Sequence, residues 1–215
     1  MGRCSQGGVT AHPVAPPSYP HVVDALQAIA ARRSIGRLVA PAPEGAELDA
    51  ILGAGALAPD HGALRPFRFT VLRGDDLDAF GAVLEAAYLA RCADDGTEPV
   101  AAKAAKERTK LRRAPLVIVV SAVHVASEAI PWLEQQQAAA AACQNVLLAA
   151  TALGYGSMWR TGAPVDEPLV KAALGLRPDD AIAGFLYVGT VPDGVADRKE
   201  PRSPDLRGLV VEWTP

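Results

Sequence analysis

The sequence predicts an α+β fold in which a mostly antiparallel central sheet is flanked by helices. Three observations carry this. Leu116–Ser121 (LVIVVS) is a continuous branched apolar run of the kind that forms a fully buried strand. Residues 135–159 form an uncharged, alanine-rich stretch long enough for a buried helix. Helical and strand patterns mix along the chain without the strict alternation of a doubly wound sheet.

The elements follow in order. His21–Ala31 places Val22, Val23, Leu26 and Ile29 on one helical face. After Pro41 and Pro43, Glu44–Leu57 repeats the pattern through Leu48, Ile51 and Leu52 until Pro59 stops it. Phe67–Leu72 alternates apolar with polar residues as a strand, and Gly74-Asp75 turns the chain. Leu77–Cys92 is helical through Leu77, Phe80, Leu84 and Tyr88; Asp94–Pro99 is a loop; Lys103–Arg113 is a basic helix. Beyond the buried strand and the long helix Trp132–Leu153, Glu167–Leu174 is a short helix. Ile182–Val188 and Leu209–Trp213 are strands. The glycine-rich stretch 154–162 between them falls in a loop.

The 215 residues suit one domain, here residues 21–215, large enough for a core without disulfide or metal staples. Residues 1–20, rich in Gly, Pro and Ser and lacking an apolar run, suit a disordered extension and cannot be the apolar region of a signal peptide. The net charge of −3 excludes a generally basic nucleic-acid binder. Gln135, Gln136, Gln137, Gln144 and Asn145 argue against a membrane span in the long helix and favour burial at a subunit interface. Three cysteines that cannot all pair fit a reduced, cytoplasmic setting.

Most catalytic patterns fail. Gly53-Ala54-Gly55-Ala56-Leu57-Ala58 fits the dinucleotide fingerprint in letters only, because no strand precedes it and it runs into Pro59. There is no nucleophile elbow and no Walker loop, and the four histidines lack metal-ligand spacing, so no metal is expected. If the chain is an enzyme, a cofactor carries the chemistry.

Three segments concentrate unusual residues. Arg32-Arg33-Ser34 offers guanidinium forks and a hydroxyl to a phosphate, or else cations at a helix C-terminus. Ala58–Phe67, with Asp60 and His61, is a functional connector or simply a turn. Gly154–Gly162 holds Trp159 and Arg160, as a ligand loop or as a core anchor. Lys103, Lys106, Lys110 and Arg113 fall at one-face spacing, as a solvated face or as a rim that steers anionic nucleotides.

Taken together, RRSIGRL, ILGAGALAPDHGALRPFRFTVL, RAPLVIVVSA, GYGSMWRTGA and IAGFLYVGT resemble, in this order over residues 22–191, the nitroreductase family and within it a short NAD(P)H nitroreductase branch. The resemblance implies an FMN-binding homodimer with an α+β sandwich. The flavin would be held by Arg32, Arg33, Ser34, Leu57, His61, Trp159, Arg160 and Thr161, and Ala149, Ala150, Thr151, Ala152, Leu153 and Gly154 would meet NAD(P)H. Hydride would pass from NAD(P)H through flavin N5 to a nitroaromatic, quinone or similar small planar acceptor in a ping-pong cycle, with no catalytic side chain. Other reductive flavin chemistry on the same scaffold, or non-catalytic FMN or nucleotide binding, are the alternatives. Two departures stand out: Gly36 replaces a base common in the family, with Arg37 one residue later, and Phe67 replaces the usual Trp.

Overall fold

The computed structural model describes residues 24–195 and 205–214. The expected extension over residues 1–20, with Val22 and Val23 of the first helix, lies outside the described residues. The helices are α1 (Ala25–Ala31), α2 (Gly45–Ala56), α3 (Asp76–Asp94), α4 (Ala101–Thr109), α5 (Trp132–Ala152) and α6 (Pro168–Ala173). The strands are β1 (Phe67–Arg73), β2 (Leu116–Ala122), β3 (Gly156–Arg160) and β4 (Ala181–Gly189). They form one antiparallel sheet in the order β1-β2-β4-β3, with helices on both faces, as the sequence predicts.

Strand alternation divides the core in two. Val117, Val119, Phe185, Tyr187 and Met158 pack with Phe80 and Leu84 of α3 and with Leu111. Leu116, Ile118, Val120, Leu186 and Val188 pack on the other face with Ile51 of α2 and with Cys143, Val146 and Leu147 of α5. Covered from both sides, β2 is buried along its whole length. Gly55 explains the glycine pair in α2: a Cβ there would lie 2.8 Å from Val146 Cγ2 and from Phe69 Cζ. The glycine therefore serves helix packing, not a phosphate.

In α5 the polar residues are spent on backbone. Gln135 Oε1 accepts from the Val125 N–H (2.9 Å), and its Nε2 donates to the Val125 and Ile130 carbonyls (2.8 and 3.3 Å). Asn145 Nδ2 donates to the Ala54 carbonyl (3.0 Å). Ala139, Ala142, Cys143, Val146 and Ala150 are fully buried within the chain. The alanine face expected at a subunit interface thus belongs to the chain's own core. Among the described residues no helix is long and apolar enough to cross a membrane.

Three expectations need correction. Gly156–Arg160 is strand β3, not loop, because it finds a five-residue ladder on β4. Leu209–Trp213 is not a strand: no described segment pairs with it, and Leu209, Val210, Val211 and Trp213 are exposed. The basic stretch is not one helix, since α4 ends at Thr109 and Lys110–Arg113 tightens into a 3₁₀ turn.

Candidate functional site

The first cluster is set by how α1 ends. The Arg32 N–H caps the helix on the Ala28 carbonyl (2.9 Å), and Arg33 Nε donates to the Ala31 carbonyl (3.3 Å). The chain then runs beside β3: Ser34 bridges Ser157 in parallel, and the Ile35 N–H donates to the Ser157 carbonyl (3.0 Å). This brings Ser34 against the third segment around a cavity of about 480 Å³, lined with Met158, Trp159, Arg160, Thr161 and Gly162. The cavity offers two hydroxyls, a guanidinium and backbone N–H groups, a donor set suited to phosphate.

Trp159 settles as an anchor. Its Nε1–H donates to the Ala183 carbonyl (3.0 Å), and it packs on the α5-side core. Alternation sends Arg160 to the opposite face, on the side of Met158 and Phe185. There it lies close enough to act on buried Tyr187. Burial pushes the Tyr187 phenol up to about 12, Glu107 adds to the rise, and Arg160 and Arg113 oppose it.

A smaller cavity, about 100 Å³, lies alongside, with Arg33, Thr151, Tyr155 and Ser157 among its walls. The buried Ser157 hydroxyl has no hydrogen-bond partner among the described residues, whereas Thr151 donates to the Leu147 carbonyl (2.9 Å). Of the stretch expected to meet NAD(P)H, Ala150 is buried, Ala149 and Leu153 pack on the α5-side core, Ala152 is half-buried, and Gly154 is exposed at φ +84°.

The remaining expected residues stand apart. Leu57 ends α2 with its side chain 83% exposed. His61 follows in a short 3₁₀ turn, its Nδ1 2.8 Å from Glu134 Oε2 of α5, beside a second cavity of about 480 Å³. Both lie over α5, across the sheet from the face toward which Arg160 projects. One chain therefore unites Arg33 and Ser34 with Trp159, Arg160 and Thr161, but not with Leu57 and His61.

Sequence reasoning missed Ser157 and Tyr187, for which it held no signal. It also missed a basic cavity lined by Arg37, Lys106, Lys110, Arg112 and Arg113. Its signal was present in the lysine and arginine spacing, but the turn at Lys110–Arg113 redirects half of those side chains.

Comparison with known proteins gives one answer. Residues 29–190 match the profile of the nitroreductase family. The chain is 42% identical over 168 residues to the Escherichia coli (strain K12) protein named "Putative NAD(P)H nitroreductase YdjA", covering 78% of this chain and 88% of that one. It is 34% identical over 169 residues to a Haemophilus influenzae protein named "Putative NAD(P)H nitroreductase", covering 78% and 89%. Among solved structures, it superposes on a nitroreductase-like family protein from Bacillus cereus with a TM-score of 0.70 at 24% identity, covering 93% of this chain and 99% of that one. A Desulfovibrio desulfuricans protein described as a "putative nitroreductase in complex with FMN" superposes with a TM-score of 0.64 at 28% identity, covering 92% and 99%. The chain belongs to the nitroreductase family.

Proposed function

We propose that this chain is an FMN-dependent oxidoreductase that works as a homodimer, passing hydride from NAD(P)H to nitroaromatic, quinone or similar planar acceptors in two alternating half-reactions. Residues 21–215 form its single flavin-binding unit. The observation that carries the reading is the Ser34–Ser157 bridge, which draws two arginine-bearing segments, far apart in sequence, around one cavity. The FMN named with the Desulfovibrio relative, and the NAD(P)H named with the curated relatives, supply the ligand classes.

The donors present fit the cofactor. Arg32, Arg33, Ser34, Arg160 and Thr161 hold the phosphate and ribityl chain, and charge-assisted bonds from the guanidinium forks fix its orientation. Trp159, tied to Ala183, keeps the Arg160 backbone in place. FMN, when bound, supplies the hydride relay. Leu57 and His61 lie across the sheet from Arg160, so we assign their contact with the cofactor to the second chain of the dimer. The exposed apolar side chains of Leu26, Ile29, Leu57 and Leu133 are available to bury at that contact. Glu134 holds the His61 ring by Nδ1 and leaves Nε2 free toward the cavity. Ala149–Gly154 border the cavity of Arg33 and Thr151, where we place the approach of the nicotinamide nucleotide. We place the reaction in the cytoplasm, a setting that buried free thiols at Cys92 and Cys143 support.

The test is the visible spectrum of the purified protein under anaerobic titration with NADPH and then NADH. A flavin band that bleaches with either, and returns on adding a quinone or nitroaromatic, is expected. A colourless protein whose melting temperature FMN leaves unchanged overturns the reading, since ligand at a hundredfold excess over Kd stabilises by about 2.7 kcal/mol.

A further inference from the structure

We propose that Arg37, Lys106 and Arg113 form a second phosphomonoester seat, separate from the flavin's, that takes the 2′-phosphate of NADPH and selects it over NADH. The choice of nucleotide rests on the flavin reading above; the seat itself rests on how the cations of this region are spent.

Nearly every basic side chain in the stretch 103–113 has a partner. Lys103 Nζ sits 4.9 Å above the Tyr88 ring. Arg108 pairs with Glu85 at 2.8 Å, Lys110 with Glu107, and Arg112 with Asp78. The nearby carboxylates are thereby engaged. Lys106 and Arg113 are left with no ionic partner among the described residues. They share one cavity of about 360 Å³ with Arg37, which has none either. At Gly36 a Cβ would meet nothing within 4 Å, so the mouth stays open on that side.

Three unneutralised cations around one concavity repel one another. The arrangement favours an anion of more than one charge. A phosphomonoester carries roughly −1.5 to −2 at pH 7 and presents three acceptor oxygens, which suits two guanidinium forks and one ammonium. A carboxylate brings half the charge and fewer acceptors.

The seat lies within reach of the flavin cavity. Ser34 and Arg37 are three residues apart, so their Cα atoms are no more than about 11 Å from each other. Arg113 and Arg160 also flank the same Tyr187 phenol. With the flavin phosphate assigned to Ser34, Arg160 and Thr161, the phosphomonoester left in the reaction mixture is the one that distinguishes NADPH from NADH.

The experiment is calorimetric titration of the protein as purified with adenosine 2′,5′-bisphosphate and with adenosine 5′-monophosphate. The parent is expected to prefer the bisphosphate by tenfold or more, roughly the effect of one charge-assisted bond. The double variant Arg37→Gln/Lys106→Gln is expected to lose that preference and to bind FMN as the parent does in a fluorescence titration. Both side chains are exposed, so its melting temperature should hold. A parent that binds the two nucleotides equally, or neither, overturns the proposal, as does a preference that survives the double variant. A fall in FMN affinity also overturns it, because the cluster would then hold the flavin phosphate. Failure of the flavin reading shows separately, as absence of FMN binding, while the two adenosine ligands still report on the seat.

Discussion

Ser34 and Ser157 form a parallel bridge, with the Ile35 N–H on the Ser157 carbonyl at 3.0 Å. This single pairing fixes the segment after α1 against the edge strand that carries Arg160. Every donor proposed for the flavin phosphate depends on it, because neither segment closes the cavity alone.

Arg160 is exposed and has no ion-pair partner among the described residues, so its removal should leave the fold intact. Arg160→Gln is expected to weaken FMN binding by about 10- to 100-fold, the range of a hydrogen bond to a charged group. Fluorescence titration of flavin into the apoprotein measures it. An unchanged Kd would remove Arg160 from the site.

Assembly is the second expectation. Leu26 and Ile29 of α1 are 75% and 53% exposed, and burying side chains of this size stabilises by about 1.5–3 kcal/mol each. Leu26→Glu/Ile29→Glu should give a folded monomer in sedimentation velocity, and the monomer should bind flavin poorly because Leu57 and His61 no longer arrive from the partner. A monomeric parent, or a monomeric variant with full flavin affinity, contradicts the two-chain site.

The third expectation concerns Gly184. A Cβ there would lie 2.0 Å from Trp159 Nε1, inside the bond that Trp159 makes to Ala183. Gly184→Ala forces the indole out, costing about 3 kcal/mol from overpacking and the lost hydrogen bond. Thermal unfolding should shift downward, and flavin affinity should fall with it because the β3 backbone carries Arg160. Tryptophan emission that matches the parent would show that the indole has not moved.

What the sequence revealed follows from which forces were local. The run at Leu116–Ser121 and the long uncharged helix announce burial by composition alone, and both stand as elements of the core. Strand β3 was hidden because Gly-Ser-Met-Trp-Arg has the composition of a turn, and only its ladder with β4 makes it extended. Leu209–Trp213 errs the other way: branched residues give it strand propensity, but propensity without a partner makes no ladder. Arg32–Ser34 and Trp159–Thr161 each stood out singly, yet composition cannot say that they face one cavity. The basic seat was legible as charge and illegible as shape, since the 3₁₀ turn at Lys110–Arg113 breaks the helical face that spacing implied.

Acid should act through Asp180, which is 3% exposed at the end of the loop before β4. Burial pushes its carboxyl up, but the Arg177 guanidinium and the N–H groups of Arg177 and His124 outweigh burial and hold it at about 2, below the ordinary 3.8. A carboxyl with a lower pKa in the folded state than in the unfolded chain stabilises the fold above its unfolded value. That contribution, on the order of 2 kcal/mol, is therefore complete above about pH 5 and is lost as pH falls through 4 toward 2. The Asp180→Asn variant removes it: denaturant unfolding should show the variant less stable than the parent at pH 6, with the gap closing toward pH 2. A gap that stays constant with pH would show that the ionised carboxylate is not what holds the loop to Arg177 and His124.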